Sequence, residues 1–478
     1  MVGTDVFKKK NRGEVYTPSW LVGRMLDWVG YSGPGIIRRH FMDNSCGAGA
    51  FLLVAVERYI LAAFAGHLPL GLVKKHLATY IHGIEIDADA CERCISSLDT
   101  LAQHYGIRHV RWDIRQADAL GVSDFDGRMD FVVGNPPYVR NHNVILSDDV
   151  RNRYSFIQLG NADLYLAFFQ LGFRMLSPEG RMCYITPVSW VYSKSGSVMR
   201  QYLASHSLLA ELVDMGHYQV FPGISTYTVV TLFTRAGANK VTYSVFDEST
   251  WSRRPLSCLP TADCLIDGRF YFGTPAQLDA VRQIRQAQYP RHFIVKNGFA
   301  TLADSLFFNV DVPSSTFTIP VLKASRGVWY NGFFPYDASG RPITEDELHS
   351  SPEMVAYLDS VKSALVGRDF RDGHWWHYGR TQAVCDVYKP RMAVNSLVRD
   401  KRDLRVVPLP PGTGVYNGFY VLSDNADCLS AVGDLLLADA FLDFIRMLRI
   451  YKSGGWYEFR AKDLEQYLNY AFSCRVPK

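Results

Sequence analysis

The segment HFMDNSCGAGAFLLVAVERYI, residues 40–60, decides the fold class of this chain. A short apolar stretch that ends at Asp43 predicts a strand, and apolar residues at helical spacing after Gly49 predict a helix. The turn between them contains Gly47 and Gly49, which let the backbone approach a ligand without a Cβ in the way. This order of strand, glycine-rich turn and helix indicates an α/β fold, in which the turn is either a ligand loop or purely structural.

Three further strand signals follow, and each leads to a polar side chain. YIHGIEIDADA ends at Glu85 and Asp87, IRQADAL leads to Asp118, and MDFVVGN leads to Asn135. Ligands of open α/β sheets bind outside the carboxyl ends of the strands, so we expect these side chains to converge with the glycine-rich turn at one sheet edge. A carboxylate there can accept both hydroxyl hydrogens of a ribose, or it can cap the following helix. Between the first two strands, LGLVKKHLATY predicts an additional helix.

The tetrapeptide Asn135-Pro136-Pro137-Tyr138 directly follows the fourth predicted strand. Proline fixes φ and has no N–H, so the Asn135 side chain and the Pro136 carbonyl can both be held as hydrogen-bond acceptors. Two acceptors fit one amino group, whose lone pair then points at an electrophile, while the Tyr138 ring can stack on the attached base. The alternative is a proline turn that ends the strand, with Tyr138 packed into the core.

The bulk composition fits an ordinary globular protein of two domains. The 478 residues exceed the roughly 250 to 300 at which single cores stop growing. The formal charge of +4 is a weak bias toward polyanions. No apolar stretch approaches the roughly 20 residues that span a bilayer, so we expect no membrane contact. Nine cysteines without a signal peptide indicate reduced thiols in a cytosol, and CERC at residues 91–94 predicts helix packing.

With these motifs, the sequence resembles the S-adenosylmethionine-dependent N6-adenine DNA methyltransferases, in the gamma-type order that places cofactor motifs first and the recognition domain last. GEVYTPSWLVGRML resembles their N-terminal cofactor segment, DNSCGAGAF their glycine-rich loop, GIEIDADA and ADAL their acidic cofactor motifs, and VFPGISTYTVVTLF their last motif. The resemblance implies a Rossmann-like catalytic domain with a mostly parallel sheet at residues 1–245 and a mixed α+β DNA-recognition domain at residues 246–478. Two departures are Asn44-Ser45 in place of Pro-Ala, and Ala119 where an aromatic residue can follow the third acidic residue.

The same resemblance implies the site residues, with S-adenosylmethionine as cofactor and no metal. The implied cofactor-binding residues are Thr17, Asp43, Cys46, Gly47, Gly49, Glu85 and Asp118. The implied catalytic residues are Asn135, Pro136, Pro137 and Tyr138. Phe221 is the implied second aromatic around the target adenine, opposite Tyr138, or alternatively a buried core ring.

The predicted second domain interleaves basic residues with aromatic rings, as a surface that contacts phosphates and bases would. The candidate DNA contacts are Lys296, Lys323, Arg326 and Arg380. The alternative for each of these residues is that it is a solvent-exposed charge above an aromatic core and does not contact DNA. KSGGWYEFRAKDLEQYL predicts a loop between Lys452 and Trp456 and a helix from near Ala461, with no assigned role.

The expected activity is sequence-specific methylation of N6 of an adenine that is flipped out of double-stranded DNA. Methylation of a protein glutamine amide, which also presents an –NH₂ group, is one alternative. A non-catalytic DNA-binding subunit that retains the fold is another. We expect a monomer in the prokaryotic cytoplasm, associated with the nucleoid when bound to DNA. Any cognate restriction endonuclease is expected to be a separate protein, because the cofactor motif begins near Gly13 and no nuclease signature is visible.

Overall fold

The computed structural model describes residues 17–139, 148–223, 226–368 and 374–475. The chain divides into two compact units between Asp279 and Ala280. The predicted boundary at residue 245 falls inside the strand Lys240–Asp247, which pairs with the strand Ser252–Pro260 at the end of the first unit's main sheet. Residues 246–279 therefore fold with the first unit. The roles predicted for the two domains stay predictions, and the start of the cofactor segment near Gly13 lies outside the described residues.

The first unit is built on one large sheet. Its strands are β1 (Phe41–Asp43), β2 (Ile81–Glu85), β3 (Asp113–Gln116), β4 (Met129–Gly134), β5 (Leu176–Pro187), β6 (Leu209–Asp214), β7 (Thr228–Thr234), β8 (Lys240–Asp247) and β9 (Ser252–Pro260). The order across the sheet is β3-β2-β1-β4-β5-β7-β6-β8-β9. The first five strands in this order are parallel neighbours, β7 is antiparallel to β5 and β6, and β9 is antiparallel to β8. A small antiparallel hairpin follows, formed by β10 (Leu265–Ile266) and β11 (Arg269–Phe270).

Helices cover both faces of the large sheet. The helices are α1 (Ser19–Val29), α2 (Ala50–Ala65), α3 (Leu70–Tyr80), α4 (Ala88–His104), α5 (Asp148–Arg153), α6 (Tyr165–Met175), α7 (Ser197–His206) and α8 (Thr261–Cys264), and α9 (Pro275–Gln286) crosses the division between the units. Alternate residues of β5 show the two covered faces: the Tyr184 ring contacts Phe169 of α6, whereas Cys183 and Ile185 join a core cluster with residues of α1. Strands that are buried on both faces explain the near-continuous apolar runs in the sequence.

The predicted α/β class with a mostly parallel sheet is confirmed, and so are the local predictions around it. The additional helix is α3, and Cys91 and Cys94 both lie buried on α4. Their thiols are free, as are those of the other seven cysteines. Among the described residues, none of the helices is both long and apolar enough to cross a membrane.

The second unit is mixed α+β, as predicted. Its strands are β12 (Ile294–Asn297), β13 (Phe308–Asn309), β14 (Thr318–Lys323), β15 (Val328–Phe333), β16 (Arg391–Val394), β17 (Leu397–Val398), β18 (Val406–Leu409), β19 (Gly414–Tyr416), β20 (Phe419–Leu422), β21 (Tyr451–Lys452) and β22 (Trp456–Glu458). They form three sheets with the orders β12-β20-β16-β18, β13-β15-β14-β19 and β17-β22-β21. The helices are α10 (Asp304–Phe307), α11 (Glu345–His349), α12 (Pro352–Val366), α13 (Ala426–Leu436), α14 (Asp439–Met447) and α15 (Ala461–Ser473). The predicted loop after Lys452 and the helix from Ala461 are confirmed.

We expect Gly172→Ala to destabilise the first unit, because an added Cβ inside α6 would overlap Sδ of Met182 and lie 3.1 Å from the Tyr184 hydroxyl. Overpacking of this kind costs about 1 to 3 kcal/mol. Gly71→Ala is the matched control in an exposed helical position of α3, where the new methyl group meets nothing within 4 Å. Urea unfolding should show a lower free energy of unfolding only for Gly172→Ala. Equal effects of the two substitutions would contradict the packing of α6 on β5.

Candidate active site

The carboxyl edge of the sheet opens at β1, since β2 lies on one side of β1 and β4 on the other. In open α/β sheets a crevice forms at such a switch point, outside the ends of the strands. Asp43 and Glu85 are the last residues of β1 and β2, and Asn135 directly follows β4. Asp118 follows β3 at the same edge. The structure therefore brings these four predicted residues to one edge.

The glycine-rich turn after β1 is held by backbone hydrogen bonds. The N–H of Cys46 donates to the carbonyl of Ile84 at 3.0 Å, and the N–H of Gly49 donates to the carbonyl of Cys46 at 2.8 Å. Gly47 and Gly49 have φ angles of 52° and 91°, which favour glycine. An added Cβ at Gly49 would lie 2.8 Å from Sγ of Cys94, whereas one at Gly47 would meet nothing within 4 Å. Gly49 therefore permits internal packing, and Gly47 borders open space that can admit a ligand.

The Glu85 carboxylate is fixed by two backbone groups. The N–H of Gly47 donates to its Oε2 at 2.8 Å, and the N–H of Asp87 donates to its Oε1 at 2.9 Å. Each carboxylate oxygen can accept more than one hydrogen bond, so Glu85 can also accept hydroxyl groups of a ligand.

Ile86, next to Glu85, is a candidate that sequence reasoning missed. An isoleucine at the end of an apolar strand is usually a core residue, but Ile86 is 68% exposed. The available signal was its position between the two acidic residues Glu85 and Asp87 at the strand end. It provides an apolar surface at the crevice edge, where Ala119 is too small and too buried to provide one.

Asp87 and Asp118 each cap the start of a helical segment. Oδ1 of Asp87 accepts the N–H of Ala90 at 2.9 Å at the start of α4. Oδ1 of Asp118 accepts the N–H of Leu120 at 3.0 Å and begins a 3-10 turn. Asp118 is exposed, and this cap uses one of its two oxygens, so a ligand contact by the other is compatible with it. Thr17 is 7% exposed and lies just before α1.

Asp43 is a buried carboxyl group, 1% exposed, at the end of β1. Burial raises the pKa of Asp43 to about 8; the N–H of Ser45, which donates to Oδ1 at 3.2 Å, opposes the rise, and the charge of Glu85 adds to it. An added Cβ at Gly134 would lie 2.7 Å from Oδ1 of Asp43, so β4 needs glycine here. With a pKa of about 8, the Asp43 carboxyl is mostly protonated at neutral pH.

Asn44 and Ser45, which depart from the family pattern, connect the turn to its neighbours. The Tyr184 hydroxyl of β5 donates to Oδ1 of Asn44 at 2.9 Å. Oγ of Ser45 donates to the backbone carbonyl of Asn135 at 3.3 Å. The turn after β1 is thus bonded directly to the tetrapeptide after β4.

The tetrapeptide lies at the crevice rather than deep in the core. Asn135, Pro137 and Tyr138 are half-buried, and Pro136 is buried. The Tyr138 hydroxyl donates to the carbonyl of Ile185 at 3.0 Å, which holds the ring against β5. Burial raises the pKa of Tyr138 well above its ordinary value, so the hydroxyl keeps its proton and remains a donor.

Phe221 lies beside Tyr138, with ring centroids 6.2 Å apart and planes at 67°. It is 2% exposed and belongs to the core cluster. Rings in edge-to-face contact leave no slot for a base between them, so stacking by Phe221 would require it to move. The structure shows the buried core ring, and the stacking role stays a prediction.

The side chains at the crevice fit S-adenosylmethionine, the cofactor implied by the family resemblance. Glu85 can accept ribose hydroxyls, and the open space at Gly47 leaves room for the ligand.

The predicted DNA contacts of the second unit differ in their partners. Nζ of Lys296 forms an ion pair with Oδ2 of Asp386 at 2.6 Å, and Lys389 shares the same carboxylate at 2.8 Å, so the charge of Lys296 is partly compensated. Lys323 is half-buried at the end of β14, and Arg326 and Arg380 are exposed. Contact of these residues with DNA stays a prediction.

Comparison with known proteins gives matches in both sequence and fold. Residues 71–221 match the model of the Eco57I restriction-modification methylase family. The type II methyltransferase M.PaeR7I of Pseudomonas aeruginosa is 29% identical over 47% of this chain and 41% of its own length. The type II restriction enzyme and methyltransferase RM.Eco57I of Escherichia coli is 24% identical over 79% of this chain and 48% of its own length. This chain therefore spans about half the length of these curated relatives.

Two solved structures share the fold over nearly the whole chain. The type IIL restriction-modification enzyme MmeI, solved in complex with DNA, matches 93% of this chain and 63% of its own, with a TM-score of 0.64 and 12% identity. The DrdV–DNA complex matches 92% of this chain and 53% of its own, with a TM-score of 0.52 and 11% identity. At these identities the matches establish the fold.

Asp43 should make the free energy of unfolding depend on pH. Its pKa is about 3.9 in an unfolded chain and about 8 in the folded protein, so between these values only the folded state binds the proton. The free energy of unfolding should therefore fall as pH rises from 5 to 8, and Asp43→Asn should flatten this decline. Urea unfolding at several pH values measures it, with the exposed Asp89→Asn as control. If the free energy of unfolding of Asp43→Asn depended on pH as strongly as that of the wild type, the raised pKa of Asp43 would be contradicted.

Proposed function

We propose that this chain, whose residues 71–221 belong to the Eco57I restriction-modification methylase family, transfers a methyl group from S-adenosylmethionine to N6 of an adenine in duplex DNA. The observation that carries the proposal is the hydrogen bond from Ser45 to the Asn135 carbonyl, 3.3 Å long. It joins the turn that borders the open ligand space to the loop that carries the amino-group acceptors. Two substrates that bind these two segments would meet at one crevice.

The cofactor is assigned to the β1–β3 side of the crevice. Bound S-adenosylmethionine supplies an electrophilic methyl group on a positively charged sulfur. Glu85 would accept the ribose hydroxyls, and Asp43 and Thr17 would contribute to binding the methionine part. Asp118 and the exposed Ile86 would contact the adenine ring of the cofactor. Gly47 leaves room for this ligand, and Cys46 and Gly49 shape the turn.

The target amino group is assigned to Asn135 and Pro136. The Asn135 side chain and the Pro136 carbonyl would each accept a hydrogen bond from this amino group, which would direct the nitrogen lone pair toward the methyl group. Tyr138 packs against the flipped base, because its hydroxyl bond to Ile185 fixes the ring. Acceptors that are in place before the reaction, together with alignment of the reacting atoms, supply the catalysis.

DNA as the substrate is supported by the relatives and by the shared fold. M.PaeR7I and the Geobacillus stearothermophilus protein M.BstVI are named type II methyltransferases, and MmeI and DrdV are solved with DNA. Flipping an adenine out of the duplex costs a few kcal/mol, which contacts by the second unit would offset. A cognate restriction endonuclease would act on the same DNA site, and the chain would work as a monomer in the bacterial cytoplasm.

One experiment separates this proposal from its two alternatives. The chain is incubated with S-adenosylmethionine labelled in the methyl group, together with unmethylated bacterial DNA or with bacterial protein extract. Label on N6 of adenine in DNA supports the proposal. Label in protein glutamine alone would reject it in favour of protein methylation. DNA binding without transfer to either substrate would favour a non-catalytic subunit.

Asn135→Ala should lower the rate of DNA methylation by at least about 100-fold, because one of two acceptors for the amino group is lost. Affinity for duplex DNA should change by less than about twofold, since the substitution leaves the rest of the DNA surface intact. Methyl transfer and fluorescence anisotropy measure the two quantities. Asn239→Ala, at an exposed turn between β7 and β8, is the matched control and should change neither. An unchanged methylation rate in Asn135→Ala would remove the proposed mechanism.

Gly47→Ala should weaken cofactor binding more than it weakens the fold. The new methyl group would occupy the open ligand space, while the positive φ costs about 1 to 2 kcal/mol of stability. Isothermal titration calorimetry should show at least about tenfold weaker binding of S-adenosylmethionine. Gly49→Ala should instead destabilise the protein, because its Cβ would lie 2.8 Å from Sγ of Cys94. Unchanged cofactor affinity in a folded Gly47→Ala variant would place the cofactor elsewhere.

A further inference from the structure

The hairpin of β14 and β15 has a tightly closed tip, defined here as residues 323–330. The N–H groups of Arg326 and Gly327 both donate to the carbonyl of Lys323, at 3.0 and 2.8 Å. Gly327 has a φ of 69°, which suits such a turn. The strands below the tip are anchored in the second unit's core, where Val321 is fully buried. The turn is therefore closed by its own backbone hydrogen bonds, and its strands are fixed by the core.

Three cations gather at this tip. Lys323 and Arg326 belong to it, and Nη1 of Arg405 donates to the carbonyl of Ser325 at 3.2 Å. Within the described parts of the second unit, none of the three forms an ion pair with a carboxylate. Lys323 instead lies 5.6 Å from the ring centroid of Tyr416, which leaves its positive charge uncompensated.

Other cations of the same unit have carboxylate partners. Arg402 pairs with Asp400 at 2.8 Å, and Lys296 pairs with Asp386 at 2.6 Å. A carboxylate partner offsets part of a cation's charge and occupies some of its N–H donors, so such a cation attracts a phosphate less strongly. The unpaired cluster at the hairpin tip is therefore better suited to the phosphate backbone, where each contact releases bound counterions.

The tip also exposes apolar surface. Trp329 is 41% exposed and Val328 is 42% exposed. Val328 pairs with Lys323 and Trp329 with Leu322, so the Trp329 and Lys323 side chains lie on opposite faces of the hairpin. A two-stranded ribbon fits the major groove of B-DNA, where phosphates form the walls and base edges the floor. One face can then meet phosphates while the other meets base edges.

We infer that the hairpin tip, together with Arg405, enters the major groove of the substrate DNA. Lys323, Arg326 and Arg405 neutralise phosphates, and the Trp329 ring packs against base edges. This inference rests on the proposed function and deepens it, because it identifies the element of the second unit that contacts the duplex.

The test is the salt dependence of binding between the full chain and a short unmethylated duplex, followed by fluorescence anisotropy. Arg326→Ala should reduce the slope of log K against log salt by about 0.9 and weaken binding about eightfold at roughly 0.1 M salt. Lys323→Ala and Arg405→Ala should act similarly, and Arg326→Lys should restore the slope. Arg402→Ala removes an exposed but paired arginine and should leave the slope unchanged. Thermal melting checks that every variant is folded.

Trp329→Ala should weaken binding without changing the salt slope, because it removes packing and no charge. If the wild-type chain methylates DNA but the triple variant of Lys323, Arg326 and Arg405 binds it with unchanged affinity and slope, the inference is wrong and the proposed function stands. If the wild-type chain binds DNA through the tip without methylating it, the inference stands and the proposed function fails. Binding of a protein partner at the tip, with no measurable DNA binding, would overturn both.

Discussion

The crevice at the carboxyl edge of the large sheet depends on one carboxylate that two backbone N–H groups hold. Glu85 accepts hydrogen bonds from Gly47 and Asp87, so it fixes the turn after β1 relative to the start of α4. Removal of this side chain would leave two backbone donors without their partner, at about 1 to 3 kcal/mol each if no water replaced it. Because the partners are backbone groups, the carboxylate position does not depend on neighbouring side-chain rotamers. The same residue therefore shapes the crevice and presents acceptors to a ligand.

Contacts between β1 and β4 also fix the position of the loop at residues 135–138, which carries the proposed amino-group acceptors. Gly134 allows Asp43 to approach β4 closely, and Ser45 bonds to the Asn135 carbonyl. A displacement of about 1 Å between reacting groups can cost about 100-fold in rate, so a direct bond between the two loops is valuable. The Asn44-Ser45 pair supplies that bond and a second one to Tyr184. Asn44 and Ser45, which stand where the family often has Pro-Ala, therefore add polar contacts between the turn and its neighbours.

The sequence predicted the first unit well where the signals are local. Helical spacing located α3, and the apolar run before Asn135 located β4. The boundary between the units was harder, because β9 joins the sheet through pairing with β8, which local composition does not reveal. For the site, strand ends predicted which acidic residues converge. The burial of Phe221 and the exposure of Ile86 depend on tertiary packing, and no spacing rule encodes it.

The basic residues of the second unit show why a count of charges is a poor guide to a phosphate surface. Lys296 and Asp386 are 90 residues apart in the chain, yet they form an ion pair, and Asp386 offsets part of the charge of Lys296 and of Lys389. Arg326 has no such partner among the described residues, although in the sequence it looks no different from Lys296. A carboxylate partner lowers the positive potential around a cation, so an unpaired cation attracts a phosphate more strongly. The pairing of each cation, which only the fold determines, therefore decides where a polyanion can bind.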